Sequence, residues 1–375
     1  MKILFTGGGT GGHFYPIIAV AEELIELAHE EKIVDLKLYY MSTEPYDKRA
    51  LFENSIEFVG ALSGKRRIYA SWKNFTDLFK LAIGLVTGLM KMFAIYPDVV
   101  FSKGAYASVP ALFAARLLGI PVIIHESDSV PGRVSAWSGK FAKRIALSYP
   151  EAAKYFPDGN IALTGQPVRR EIRELEKNGA FEFLKLDAGL PVVFVLGGSL
   201  GAEPINNAIM DALPELLSRY QIVHQVGAKN LSIMIETAKV IVPDEKVRAR
   251  YHPFGFLNPL AIKMCAGAAT VIVSRAGSTI FEIAGWGVPS ILVPFASSHG
   301  DHAKKNAYAY AAAGASLVIE ENNLTPHVLV AEIELLVGDS KKREEMSAKA
   351  KAFATPDAAK KIAQEIINVA LEHEK

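Results

Sequence analysis

Apolar and polar positions along the 375-residue chain keep switching between two periods. Short β-branched runs at Lys2–Thr6, Leu36–Met41, Asp98–Ser102 and Pro121–His125 read as strands. Between them, Pro16–Glu30 and Val109–Leu118 place apolar residues at helical spacing. This strand–helix alternation predicts a parallel sheet covered by helices.

The rhythm restarts half a chain later. Pro191–Leu196, PVVFVL, runs into GGSLGAEPINNAIMDALPEL, much as Lys2–Thr6 runs into GGGTGGHFYPIIAVAEEL. Strand, glycine-rich turn and helix recur in the same order, which predicts two Rossmann-like domains. The length also suits two domains better than one core. The pattern breaks at TGQPVRR, so we divide the chain into 1–164 and 165–355. A closing helix in 356–375 follows a Thr-Pro break and is expected to pack back on the first domain.

The most apolar window is Leu81–Tyr96, LAIGLVTGLMKMFAIY. It falls short of the ~20 residues a membrane span needs, and Lys91 interrupts it, so no transmembrane helix is expected. Nor does the N-terminus read as a signal peptide. Lys65, Arg66 and Arg67 precede an amphipathic stretch with Trp72, Phe75, Leu78, Phe79 and Leu85. Two readings are open. The basic residues can attract anionic headgroups while the apolar face enters the interface. Or the stretch is a core helix beside a solvated basic loop. A net charge of +1 gives no global signal for nucleic acid. The lone Cys265 cannot form an intrachain disulfide, which fits a reducing, cytosolic compartment.

Two stretches carry candidate chemistry. In LFTGGGTGGHFYP, residues 4–16, Gly7, Gly9 and Gly12 fit G-x-G-x-x-G. A dinucleotide site also wants an acid about 20 residues on, at the end of the second strand. Here that distance falls on Glu30 and Glu31, in or just after the helix. A dinucleotide-dependent oxidoreductase therefore lacks its ribose acid. His13 sits at the helix start, and an imidazole there is a candidate general base because it titrates near neutrality; it can equally cap the turn. In VIVSRAGSTIFEIAGWGVPSILVPF, residues 271–295, a strand runs into Gly277, Ser278 and Thr279 at a helix start. Backbone amides and hydroxyls there suit a diphosphate. Glu282, one turn on, can accept both hydroxyls of a ribose or simply sit on the helix face.

GGGTGGHFYP, GAYAS (104–108), HESD (125–128), GQPVR (165–169), GGSLGA (197–202), SRAGSTIFE (274–282) and DHAKKNA (301–307) occur in this order across nearly the whole chain. With these motifs the sequence resembles the glycosyltransferase family 28 enzymes of peptidoglycan synthesis. The resemblance implies an α/β GT-B fold, two Rossmann-like doubly wound parallel-sheet domains facing across a cleft. It implies inverting transfer of N-acetylglucosamine from UDP-N-acetylglucosamine to lipid I, undecaprenyl-diphospho-N-acetylmuramoyl-pentapeptide, giving lipid II. No cofactor is implied, and no nucleic-acid partner. The enzyme is expected at the cytoplasmic face of the cell membrane, held peripherally to an anionic surface through Lys65–Arg67 and the stretch that follows.

Position by position, the resemblance makes His13 the catalytic base. It puts Thr10, Gly11 and Gly12 in the first loop and Tyr106 in the cleft. Asp128, Arg169 and Ser199 fall at donor contacts, and Leu257 near the uracil. Glu282 falls at the ribose, beyond the diphosphate-suited Gly277, Ser278 and Thr279; Ala303, directly after His302, falls at the donor sugar, where Lys304 or Asn306 could supply a contact instead. The chain contains no D-x-D pair, so metal-independent binding is expected. It departs from the family pattern at Ala303, where a glutamine is usual, at Asp128, where an asparagine is usual, and in a loop one residue shorter before Glu282. Ala303 cannot hydrogen-bond a sugar hydroxyl, which would relax donor preference. Two variants keep the fold: a glycolipid synthase acting on diacylglycerol, and a nucleotide-sugar-binding module without turnover.

Overall fold

The computed structural model describes residues 1–64, 72–198, 200–296 and 299–373. Lys65, Arg66, Arg67 and Ser199 lie outside them. The chain forms two units, Met1–Arg169 with Thr355–Lys375, and Arg170–Ala354.

In the first unit the elements run β1 (Lys2–Thr6), α1 (Gly11–Glu30), β2 (Lys37–Ser42), α2 (Lys48–Glu53), β3 (Ile56–Gly60), α3 (Trp72–Ile95), β4 (Val99–Ser102), α4 (Val109–Leu118), β5 (Val122–Glu126), α5 (Arg133–Ser138), β6 (Arg144–Leu147) and β7 (Ile161–Leu163). Among the described residues these strands make one parallel sheet in the order β3-β2-β1-β4-β5-β6-β7. β1 is central. Its alternate side chains enter separate cores: Ile3 and Phe5 on one face, Leu4 on the other. Full burial on both faces is why this strand reads as a continuous apolar run.

The second unit continues with α6 (Arg170–Arg173), α7 (Ala180–Leu184), β8 (Val192–Leu196), α8 (Glu203–Arg219), β9 (Gln221–Gln225), α9 (Leu231–Ile241), α10 (Glu245–Arg248), β10 (Tyr251–Phe254), α11 (Pro259–Ala268), β11 (Val271–Ser274), α12 (Thr279–Trp286), β12 (Ser290–Leu292), α13 (His302–Ala312), β13 (Ser316–Val318), α14 (Pro326–Gly338) and α15 (Ser340–Phe353). Its strand order, β10-β9-β8-β11-β12-β13, repeats that of the first unit from its third strand outward. β8 again divides its side chains between two cores, Val193 and Val195 against Val192, Phe194 and Leu196.

The chain then returns to the first unit as α16 (Ala358–His373). Its apolar stripe, Ile362, Ile366, Ile367 and Ala370, shares a core with Ile17, Val20, Ala21 and Leu24 of α1. Salt bridges Arg144–Glu365 and Lys143–Glu372 tie its outer face to β6 and the residue before it.

Two helix boundaries differ from the sequence reading. Pro16 suggests a helix start because proline favours the first helical position. The helix instead begins at Gly11, with Thr10 as its extended N-cap, and Pro16 lies inside it. Proline removes one bond to the carbonyl four residues back, a loss that a 20-residue helix tolerates near its start. The apolar helix is also longer than Leu81–Tyr96. It begins by Trp72, and its apolar window Asp77–Ile95 is 19 residues, long enough by length and composition alone to cross a membrane. It is nonetheless docked along one face. A Cβ on Gly84 would stand 1.7 Å from the Leu62 carbonyl oxygen, and one on Gly88 3.0 Å from Pro110 Cβ at the start of α4.

Ile366 is fully buried between α16 and α1. Ile366→Ala is expected to destabilise the first unit by about 2–5 kcal/mol, measured as a lower denaturation midpoint in urea.

Candidate active site

In a doubly wound sheet the loops that leave neighbouring strands diverge where the strand order reverses, and ligands bind in that crevice at the carboxyl ends. Each unit has one such point. In the first it lies between β1 and β4, and in the second between β8 and β11.

In the first unit the loop Gly7–Thr10 leaves β1. Gly8 and Gly9 have φ of 142° and 86°, open to glycine and strained for other residues. The loop is pinned from below: Tyr40 Oη and Ser42 Oγ of β2 each donate to the Gly7 carbonyl at 2.8 Å. A side chain on Gly8 would meet Ser42 Oγ at 2.6 Å. Thr10 then caps α1, and its hydroxyl bonds His13 Nδ1 at 2.8 Å on the exposed side. If the imidazole donates from Nδ1 to Thr10, Nε2 carries the lone pair a base needs.

Tyr106 comes from the loop after β4, beside the first. Its ring lies 3.4 Å from where a Gly9 Cβ would be. The turn that presents it uses Gly104 and Ala105 at φ 75° and 66°, held by Ser63 Oγ donating to the Tyr106 carbonyl at 2.6 Å and by a bond from Ser108 Oγ to the Gly104 carbonyl. On the other flank of the loop, Gly11 faces Tyr15 and Tyr46. Arg169 closes this cluster, its guanidinium 3.7 Å above the Tyr15 ring. Tyr15 Oη donates to Asp47 at 3.4 Å. Burial, followed by the opposing pull of Arg169, leaves the Tyr15 phenol above its ordinary pKa, so it remains a donor. Thr10, Gly11, Gly12, His13, Tyr106 and Arg169 thus surround one loop. Asp128 follows β5, one strand further along, half-buried, with its N–H donating to Glu126 Oε1 at 3.0 Å.

In the second unit the residues Gly197–Gly201 leave β8. The Val226 carbonyl shapes this turn, accepting from Asn206 Nδ2 at 3.0 Å and Asn230 Nδ2 at 2.8 Å, and a Cβ on Gly201 would collide with it at 2.0 Å. Asn206 is itself held by His224 Nε2 at 3.0 Å, and His224 Nδ1 contacts Tyr251 Oη at 3.1 Å. Sequence reading missed this buried chain, because partners 18 and 27 residues apart meet only through the strand register.

Across the switch point, Ser274 Oγ donates to the Leu196 carbonyl at 3.2 Å and joins the β11 loop to the β8 loop. Arg275, also missed, braces the β11 loop. It bonds the Val293 carbonyl at 3.2 Å, pairs with Glu321 and stacks 4.2 Å from the Phe295 ring. Around Gly277 a Cβ would meet nothing within 4 Å, so this backbone is open to a ligand. Ser278 and Thr279 start α12, and Glu282 is half-buried in its first turn. The Leu257 side chain is a core residue, leaving only its backbone to face a ligand. On α13, Ala303 and Asn306 are buried and His302 is half-exposed. The second unit thus gathers Gly277, Ser278, Thr279 and Glu282 on one loop and helix start, with His302 on a separate helix.

The chemistry these loops offer is anion binding at helix starts, an imidazole held by a hydroxyl, and a carboxylate one helical turn beyond the second start. Two such units, each with open glycine turns at its switch point, are the paired Rossmann-like domains of the GT-B fold. Residues 3–147 match the glycosyltransferase family 28 N-terminal domain and residues 192–362 the glycosyltransferase family 28 C-terminal domain. The UDP-N-acetylglucosamine--N-acetylmuramyl-(pentapeptide) pyrophosphoryl-undecaprenol N-acetylglucosamine transferase of Clostridium kluyveri is 36% identical over 96% of this chain and 97% of its own. Its namesake from Treponema pallidum is 35% identical over 97% and 94%. The crystal structure of Acinetobacter baumannii MurG superposes with a TM-score of 0.72 at 25% identity, covering 98% of this chain and 99% of that one. A putative UDP-N-acetylglucosamine 2-epimerase from Listeria monocytogenes also reaches 0.72, at 16% identity over 99% and 97%, and shares the fold. The chain belongs to glycosyltransferase family 28, in its MurG branch.

The His224 imidazole is fully buried, and burial lowers its pKa from 6.5 to about 3. The unfolded chain therefore binds more protons than the folded one between these values, so stability is full above pH 6.5 and falls as pH drops toward 3. His224→Gln keeps a hydrogen-bonding side chain and removes this titration. The parent is expected to lose about 2 kcal/mol more than the variant between pH 7.5 and pH 5.0, read from urea denaturation at the two pH values.

Proposed function

We propose that the chain transfers N-acetylglucosamine from UDP-N-acetylglucosamine to lipid I, with inversion, and so forms lipid II. The observation that carries this reading is identity of 35–36% over nearly the full length to transferases of that name. A shared fold could not carry it, since epimerases have the same one.

The first unit binds the acceptor and the second the UDP-sugar. His13, oriented by Thr10, takes the proton of the acceptor hydroxyl as that oxygen attacks the anomeric carbon. The sugar–phosphate bond breaks and UDP leaves. The Gly277–Thr279 backbone at the start of α12 stabilises the diphosphate charge, and Glu282 accepts the ribose hydroxyls; Arg169 and Ser199 are further donor contacts. Gly11 and Gly12 let the acceptor approach the start of α1, with Tyr106 beside Gly9 on the same loop. Asp128 and His302 contact the donor sugar, and the Leu257 backbone the uracil. Leaving-group stabilisation by amides and arginine suits a reaction without a metal.

The acceptor is a membrane lipid, and α3 suits its surface. Phe79, Ile83, Val86, Met90 and Phe93 recur at spacings of four and three, and each is more than half exposed. An apolar stripe of this size on a folded unit marks an interaction surface. Its glycine face packs on the fold, so the helix lies in the interface and the enzyme is peripheral to the cytoplasmic side of the membrane. Leu78 joins the exposed stripe, whereas Leu85 is half-buried.

His13→Ala should lower transfer to a lipid I analogue by about a hundredfold to ten-thousandfold, with UDP affinity retained by calorimetry. Wild-type turnover in this variant would remove His13 as the base. Phe79→Ser with Phe93→Ser should weaken binding to anionic vesicles about tenfold or more, measured by co-sedimentation; undiminished binding would assign membrane contact elsewhere.

A further inference from the structure

Lys103 follows β4 at the switch point of the first unit and is 3% exposed. Lysine is almost never this buried unless it is paired, and a methionine would fill the space without desolvating a charge. Its stem packs on the first glycine loop. Its N–H donates to the Thr6 carbonyl at 2.9 Å, and its Cβ lies 3.1 Å from the place of a Gly7 Cβ. Its ammonium reaches the other way, toward the loop after β5.

There it donates to two atoms, His125 Nδ1 and Ser127 Oγ. Accepting at Nδ1 fixes the imidazole's tautomer, so Nε2 carries the hydrogen and donates to the Gly165 carbonyl at 2.8 Å. Next to it, Glu126 accepts from the N–H groups of Asp128 at 3.0 Å and Gly132 at 3.2 Å and folds residues 126–132 into a turn. The groups facing the ammonium are buried, apart from Ser127 and Asp128, which are half-exposed on that turn. The arrangement ends in a hydroxyl whose oxygen is engaged from inside the protein. A hydroxyl that accepts from an ammonium must turn its own hydrogen away from it.

We propose that Lys103 is a positioning residue for transfer: by donating to Ser127 Oγ it turns the Ser127 hydroxyl hydrogen outward, where it donates to an oxygen of the bound acceptor. Ser127 is then a further substrate contact, and the buried charge strengthens it, since a hydroxyl polarised by a cation is the better donor. The inference rests on the transferase reading, which assigns the acceptor to this unit.

The test is a double-mutant cycle on the full chain. Transfer to a lipid I analogue is followed for the parent, Ser127→Ala, Ser127→Thr, Lys103→Met and the Lys103→Met, Ser127→Ala pair, alongside UDP affinity and thermal midpoint. Ser127→Ala should lower kcat/KM for the acceptor about threefold to tenfold, with UDP affinity and midpoint unchanged, and Ser127→Thr should restore it. Lys103→Met should lower kcat/KM at least as far, and the pair should be no worse than Lys103→Met alone. Parental kcat/KM in Ser127→Ala, or losses that simply multiply in the pair, would overturn the proposal. The Ser127 variants decide it even where Lys103→Met does not fold. A parent that transfers nothing would overturn the transferase reading, and this inference with it; an active parent with an undiminished Ser127→Ala overturns this inference alone.

Discussion

Everything functional in this chain depends on one topological constraint. Right-handed crossovers from a central parallel strand must go one way for the first neighbours and the other way for the rest. The loops on either side of the reversal therefore part and leave a crevice with exposed backbone amides. The chain does this twice, beside β1 and beside β8. Glycines follow both strands because side chains there would strike what holds the loops in place: Ser42 under Gly8, and the Val226 carbonyl under Gly201.

The loops are not floppy glycine tracts. Each rests on buried polar atoms from the neighbouring strands. In the first unit these are Tyr40 and Ser42 beneath Gly7, and Lys103 between the β1 loop and the turn after β5. In the second they are Asn206, His224 and Ser274. Burying such groups is favourable only when their hydrogen bonds are made, and once made they fix one geometry. This is how a loop of small residues holds backbone donors ready for an anion before any ligand arrives.

The sequence made some of this legible and hid the rest for physical reasons. Strands such as Lys2–Thr6 and Pro191–Leu196 announce themselves because both their faces are buried, and the glycine turns after them because few other residues could stand there. The repeat of strand, turn and helix therefore gave away two Rossmann-like domains, and the ordered motifs supplied the GT-B fold through the family resemblance. Helix starts were harder. Pro16 misdirected the reading because its favoured place is also a tolerated one a turn further on. The length of α3 was hidden by Lys80 and Asp77, which pair with each other at one end and do not end the helix. The partners of Lys103 and His224 were not legible at all, since nothing in SKGAY or QIVHQ tells which residues of other strands will face them. Of the candidate site, the residues on the two glycine-bearing loops are found around their switch points, while Ala303 and Asn306 prove to be buried on α13. That burial bears on the donor sugar. Ala303 sits where a polar side chain would have to be accommodated inside the helix packing, so sugar recognition must come from residues that do face outward.

The measurement that tests the account most directly is a donor competition. Purified protein and a lipid I analogue are given equal UDP-N-acetylglucosamine, UDP-N-acetylgalactosamine and UDP-glucose, and the products are separated by mass and chromatography. The account predicts dominant transfer of N-acetylglucosamine. Dominant transfer of another sugar, or none from any donor, would contradict it.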